Sequence, residues 1–233
     1  MRLVPVRFWQ HGRAMMRTPR SGEPYWCAPH PPNADPLPRD GRRNCGFWER
    51  VLRRQWDPGQ GVPPAETIAV IDRLAAQPVH IASLAINELD ELWVGVGAVP
   101  QLDHLGYLSG QPIGPGSAIV WDDVPGATVG RTVVIGTGRT VSSSLVDHEL
   151  GHVIERSRRM AEQRDWQTIM LRCRPHLIVE RWYDPLEWWA EAWAMVSTGQ
   201  LQRLVRTLNG HEEVAEMVAR YYVRRYGLEV RSR

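Results

Sequence analysis

The chain has 233 residues, 43% of them apolar and 23% charged, with a formal net charge of +2. That is enough to bury a core, as one generous domain or a compact domain with an added segment, and it excludes wholesale disorder. All 28 basic residues are arginine, which excludes a mechanism built on a catalytic lysine, and the near-neutral balance gives no general case for a nucleic-acid partner or a membrane surface.

Cys27, Cys45 and Cys173 cannot all pair, and none stands in a CxxC spacing, so a disulfide scaffold is not expected and a reducing compartment is the simpler setting. The N-terminus lacks the apolar run of a secretory signal, and stretches such as 79–86 fall well short of the ~18 residues that span a bilayer. The expectation is a protein without a transmembrane segment, cytoplasmic or exported without a recognisable signal peptide. Its oligomeric state is not legible.

Charge is distributed unevenly. Residues 1–60 carry 11 arginines against 5 acids, residues 61–145 carry 3 against 8, and the remainder carries 14 against 13. The first part also clusters Pro29, Pro31, Pro32, Pro36 and Pro38, which neither a helix interior nor a central strand accepts. Residues 1–60 read as an irregular segment, interrupted by a short helix over 45–56 and ending at the Asp57-Pro58-Gly59 turn. Residues 61–233 read as the main domain.

Pro63 or Pro64 opens a helix whose apolar positions Ile68, Ile71, Leu74 and Ala75 recur at helical spacing. Residues 79–86 are β-rich enough for a strand, 92–99 suit a second, and 102–116 form a Gly/Pro loop. Residues 117–121 and 131–135 read as strands on either side of a turn at Asp122-Asp123. Ser142, Ser143 and Ser144 then offer an N-cap for a helix reaching about Met160. Helices follow over 162–174, 184–198, 200–208 and 211–226. The fold class is α+β, a small sheet first and helices afterwards.

The chemistry concentrates in Asp147-His148-Glu149-Leu150-Gly151-His152. His148 and His152 are one helical turn apart, so both imidazoles project from one face and can share a zinc ion. Glu149 stands beside the metal's open position, where a carboxylate can take a proton from water and relay it to the leaving amine. Gly151, costly by ~1 kcal/mol inside a helix, suits the close approach of a neighbouring strand or loop. A third ligand is needed. Glu155 and Arg158 stand where the metzincin pattern requires Gly and His, which removes that class; Glu155 reads as a surface or ion-pair residue. Downstream, Asp184 caps a helix, Pro185 occupies its first position, and Glu187 and Glu191 share a face among tryptophans and alanines. Burying two such carboxylates without a cation would be costly.

His148-Glu-Leu-Gly-His152 followed by Glu187-Trp-Trp-Ala-Glu191-Ala-Trp resembles the gluzincin metallopeptidases, and most nearly the lethal-factor-like peptidases, over about residues 62–200. The resemblance implies a zincin-like domain in which His148, His152 and Glu187 bind one Zn2+ and Glu149 is the general base. Glu191 would then hold a ligand histidine by its free nitrogen, and strand 131–136 would be the edge on which a protein or peptide substrate lies extended. The stretch 65–86 is similar to that fold's helix-then-strand opening. The family's oxyanion-stabilising tyrosine has no counterpart, because position 180 is Glu180; Tyr183 is the nearest substitute, with Arg181 or His176 as others.

The expected function is a zinc-dependent metalloendopeptidase. Its alternatives are a peptidase of the ImmA/IrrE type acting on one regulatory protein, and a catalytically silent zinc-binding interaction module. Trp182, Trp188, Trp189 and Trp193 crowd the proposed ligand helix and are expected to wall the site. Cys27, His30, Cys45 and His11 match no zinc module, and a cysteine masking the zinc is a lesser reading. His104 and His211 read as surface or capping residues, and Tyr221, Tyr222 and Tyr226 as a packing face.

Overall fold

The computed structural model describes residues 41–56, 62–102 and 105–228. Helix α1 (Ala65–Ala75) starts after Pro64 and buries Thr67, Val70, Ile71 and Leu74. Residues expected as a strand form a second helix instead: α2 (Val79–Glu88) starts after Pro78 and buries Ile81, Ala82, Ala85 and Ile86. Proline at a helix entry leaves no lost hydrogen bond, and burial at that spacing is helical, so packing overrides the β-branched residues. The opening of the domain is therefore helix then helix.

Four short strands form one sheet in the order β1–β2–β4–β3. Strands β1 (Leu52–Gln55), β2 (Glu91–Gly95) and β4 (Thr132–Ile135) run parallel, with α1 and α2 in the crossover between the first two. Strand β3 (Gly126–Val129) pairs antiparallel with β4 through the Gly130-Arg131 turn. Several expectations are corrected here. The helix over 45–56 is a 3-10 turn (Gly46–Arg50) followed by β1, so a strand on the N-terminal side of the 60/61 boundary belongs to the sheet. Residues 117–121 make only a single bridge, Pro112 to Val120. Strand β4 is not an edge, because β2 and β3 flank it; the edge beside the helix that carries His148 and His152 is β3, whose Gly-Ala-Thr-Val carries too little apolar pattern to announce itself. The Asp57-Pro58-Gly59 turn, His104 and the proline cluster of the first segment lie outside the described residues.

Alternation along β2 and β4 sends Leu92, Val94, Val133 and Ile135 to one face and Trp93 and Val134 to the other. The first set packs on α1, α2 and α3 (Leu145–Arg158), through Val146, Leu150 and Val153. The chain then continues through α4 (Arg164–Cys173), α5 (Pro185–Ser197), α6 (Leu201–Thr207) and α7 (Glu212–Tyr226), close to the expected spans. These helices enclose a second core rich in aromatic side chains, including Trp166, Trp188, Trp189, Trp193, Tyr222 and Tyr226. Among the described residues, no helix is long and apolar enough to cross a membrane.

Helices α3 and α5 meet at Gly151. A Cβ there would lie 2.8 Å from the Ala190 Cα and 3.1 Å from its Cβ, so the approach requires glycine. The neighbour is a helix, where the sequence suggested a strand or loop. This close crossing brings the HExxH face of α3 against the carboxylates of α5.

Candidate metal centre

Two caps set where the functional side chains begin. Ser144 caps α3, its hydroxyl accepting from the Asp147 amide at 3.4 Å, and Asp184 caps α5 by accepting from the Leu186 amide at 2.7 Å. Asp147 has no exposed surface and accepts from five donors. Arg73 Nη2 and Nε reach it at 2.6 and 2.7 Å, the Ser144 hydroxyl at 2.6 Å, Gln77 at 2.9 Å and the Ser197 hydroxyl at 3.1 Å. This network, which the sequence did not reveal, ties α1, the start of α3 and the end of α5 together one residue before His148.

On the next turn, His148 Nε2 and His152 Nε2 stand 3.1 Å apart. Glu187 Oε2 lies 3.7 Å from the former and Oε1 lies 3.6 Å from the latter. The three residues offer ligand atoms all within 4.8 Å of one another, and they are the group of this kind among the described residues. Two imidazoles and one carboxylate are a donor set suited to zinc, with a coordination position left over. The residues present therefore fit the ion.

Glu191 is buried and accepts from the Ser142 hydroxyl at 2.6 Å, the Ser143 amide at 2.8 Å and His148 Nδ1 at 3.1 Å. Accepting from Nδ1 places that proton there and leaves Nε2 with its lone pair facing the group. Burial opposes ionisation of Glu191, but the bonds from His148, Ser142 and Ser143 outweigh it and hold the carboxyl below its ordinary range. Burial lowers His148 as well, yet the bond to Glu191 and the surrounding carboxylates raise it overall. His152 is pushed down to about 4, first by burial and then by His148, so its ring is neutral at pH 7.

Glu149 points the other way, toward the sheet edge, where Thr128 of β3 donates to its Oε2 at 2.7 Å. Burial raises its carboxyl, against the pull of His148 and the Thr128 hydroxyl. An upward shift suits a base that must hold a proton briefly near neutral pH. Arg181 donates to Glu187 Oε2 through Nε at 2.8 Å and Nη2 at 2.7 Å. Tyr183 donates to the Leu177 carbonyl at 3.5 Å, and the Arg174 guanidinium lies over its ring.

Other expectations fall out differently. Glu155 is buried, not on the surface, and accepts from the Ala161 amide at 3.0 Å, closing the end of α3. Of the four tryptophans, Trp182 is the one beside a site ring, 6.2 Å from His148 by ring centroids. The rings of Trp189 and Trp193 stack on each other at 5.8 Å within the helical core, so they support α5 from behind. Cys45 is buried with its thiol toward the Ile71 carbonyl; Cys27, His30 and His11 lie outside the described residues. Asp122 accepts from Ser109 and the Gly110 amide within a 3-10 turn, Trp121–Asp123, and not in a turn between two strands. His211 is exposed at the N-cap position of α7, in line with the surface or capping reading, and its ring is tilted against that of His176.

A mixed sheet thus carries the helix of His148 and His152, and a second helix with a facing glutamate crosses it. The chain is similar in structure to the Pro-Pro endopeptidase PPEP-2 from Paenibacillus alvei, with a TM-score of 0.56 and 20% identity, covering 76% of this chain and 100% of that one. At that identity the likeness is one of fold, and the narrower lethal-factor-like resemblance rests on the two motifs alone. No protein-family model matches the chain, and no curated protein does.

Proposed function

We propose that this protein is a zinc-dependent peptidase of gluzincin type in which His148, His152 and Glu187 hold one zinc ion. The observation that carries the reading is the convergence of their three ligand atoms within 4.8 Å, with the Glu149 carboxylate on the adjoining face of the same helix. Zinc held there supplies a Lewis acid for the water and the scissile carbonyl. Glu149 takes a proton from the attacking water and delivers it to the leaving amine. Glu191 keeps His148 in its ligating tautomer. The free edge of β3 offers backbone groups to an extended peptide. Because the similar structure is that of a Pro-Pro endopeptidase, peptides containing a Pro-Pro bond head the panel of substrates to try.

The test combines metal analysis with peptide cleavage profiling. One zinc per chain is expected, lost in His148→Ala and Glu187→Ala, while Glu149→Ala keeps zinc and loses hydrolysis. Full metal retention in Glu187→Ala overturns the ligand assignment. Wild type and Glu149→Ala equally inert across the panel, both loaded with zinc, would replace this reading with the silent interaction module.

A further inference from the structure

Attack on an amide carbonyl builds negative charge on its oxygen, and removing one preorganised donor aimed at such a charge costs on the order of 100- to 1,000-fold in kcat. The residues near the ligand helix differ in their freedom to supply that donor. Glu180 is an acid, the Tyr183 hydroxyl faces the Leu177 carbonyl, and His176 packs on His211 with ring centroids 3.5 Å apart. Arg181 differs from all three. Two of its nitrogens grip Glu187 Oε2 at 2.8 and 2.7 Å, and its guanidinium carbon stands 5.4 Å from the centroid of the Trp182 ring, which itself flanks His148. Half of the side chain stays exposed, at 51%, and Nη1 has no partner among the described residues. The group is thus held against Glu187 with donors to spare.

We infer that Arg181 is the electrophilic residue of this site, stabilising the charge that develops on the carbonyl oxygen of the bound substrate. The inference rests on the peptidase reading above. In the step it serves, a water O–H bond breaks and its proton goes to Glu149 while the water oxygen bonds to the carbonyl carbon. The carbonyl π pair moves onto the oxygen, where the guanidinium meets it. The pair then returns, the C–N bond breaks, and the amine leaves with the proton from Glu149. A guanidinium stays charged through the whole working range of pH, so this donor is never lost to ionisation, unlike a phenol.

The experiment uses the full chain loaded with zinc and the best peptide from cleavage profiling. Arg181→Ala should lower kcat on the order of 100-fold or more, with KM changed by less than about 3-fold. Zinc affinity, read by competition with a chromophoric chelator, should fall by no more than about 10-fold through the lost grip on Glu187, far less than kcat at saturating zinc, and guanidinium ion added to the buffer should restore part of the rate. Arg181→Lys should retain a fraction of kcat, because the charge survives but the fork does not. Zinc affinity falling in step with kcat would overturn the inference and make Arg181 a positioning residue for Glu187. Undiminished kcat in Arg181→Ala would overturn it alone, whereas a zinc-loaded wild type that cleaves nothing overturns the peptidase reading and this inference together.

Discussion

On the sheet side of α3 the core is mostly aliphatic, built from residues such as Leu92, Val94, Val133, Ile135, Leu150 and Val153. Behind α5 it is dominated by large rings, with Trp166, Trp189, Trp193 and Tyr222 meeting edge to face, tilted or stacked at 5.2–6.2 Å. Short strands present small, regular faces that β-branched side chains fill well, while four helices of unequal length leave deep, irregular gaps that indoles fill. The difference teaches where the site must lie. The sheet half fixes α3 with its two histidines, the helical half fixes α5 with its two glutamates, and the centre exists only where the two meet.

That comparison can be broken at its heaviest point first. Trp193→Ala removes a fully buried ring and should cost about 4 kcal/mol, whereas Ile135→Val in the sheet half should cost about 1 kcal/mol. Urea unfolding of both variants checks the contrast, and similar losses would refute it. At the seam itself, Gly151→Ala gains ~1 kcal/mol of helix propensity but drives a methyl group to within 2.8 Å of backbone. A net loss of about 2 kcal/mol is expected, together with weaker zinc binding as the ligand helices separate. Unchanged stability and metal affinity would show that the crossing has slack.

The mildest probe leaves the fold alone. Cys45 belongs to the sheet half and Cys173 to the helical half, and burial pushes each thiol up to about 12. A thiol whose folded value lies that far above 8.5 is thiolate in roughly one molecule in 10,000 at pH 8. In a Cys27→Ser background, a chromogenic disulfide reagent should label neither thiol in the native protein and both after denaturation. Native labelling of one would mark its half as the looser.

The parts of the fold that were legible in sequence are those with local punctuation. Ser144 and the Asp184-Pro185 pair located α3 and α5, because caps and first-turn prolines act within a few residues. Helix α2 was misread because its β-branched residues imitate a strand, and β3 was missed because its identity comes from the free edge of β4 rather than from its own four residues. The ligand set and Glu191 could be proposed from two motifs. Their supporting contacts could not: Ser142 lies 49 residues from Glu191, Thr128 lies 21 from Glu149, and Arg73 lies 74 from Asp147. Single polar residues at such separations carry no periodicity and no spacing rule.

The Asp147 clamp bears on the order of events as the chain folds. Its partners Arg73, Gln77 and Ser197 are 74, 70 and 50 residues away, so it closes only after α1 and α5 have both docked on α3. Loop-closure entropy makes such long-range contacts late ones. Two histidines on an isolated helix can catch a passing ion loosely, but the glutamate that completes the set arrives with the same docking that closes the clamp. The fold thus couples the assembly of the His148, His152 and Glu187 cluster to the completion of the core around it.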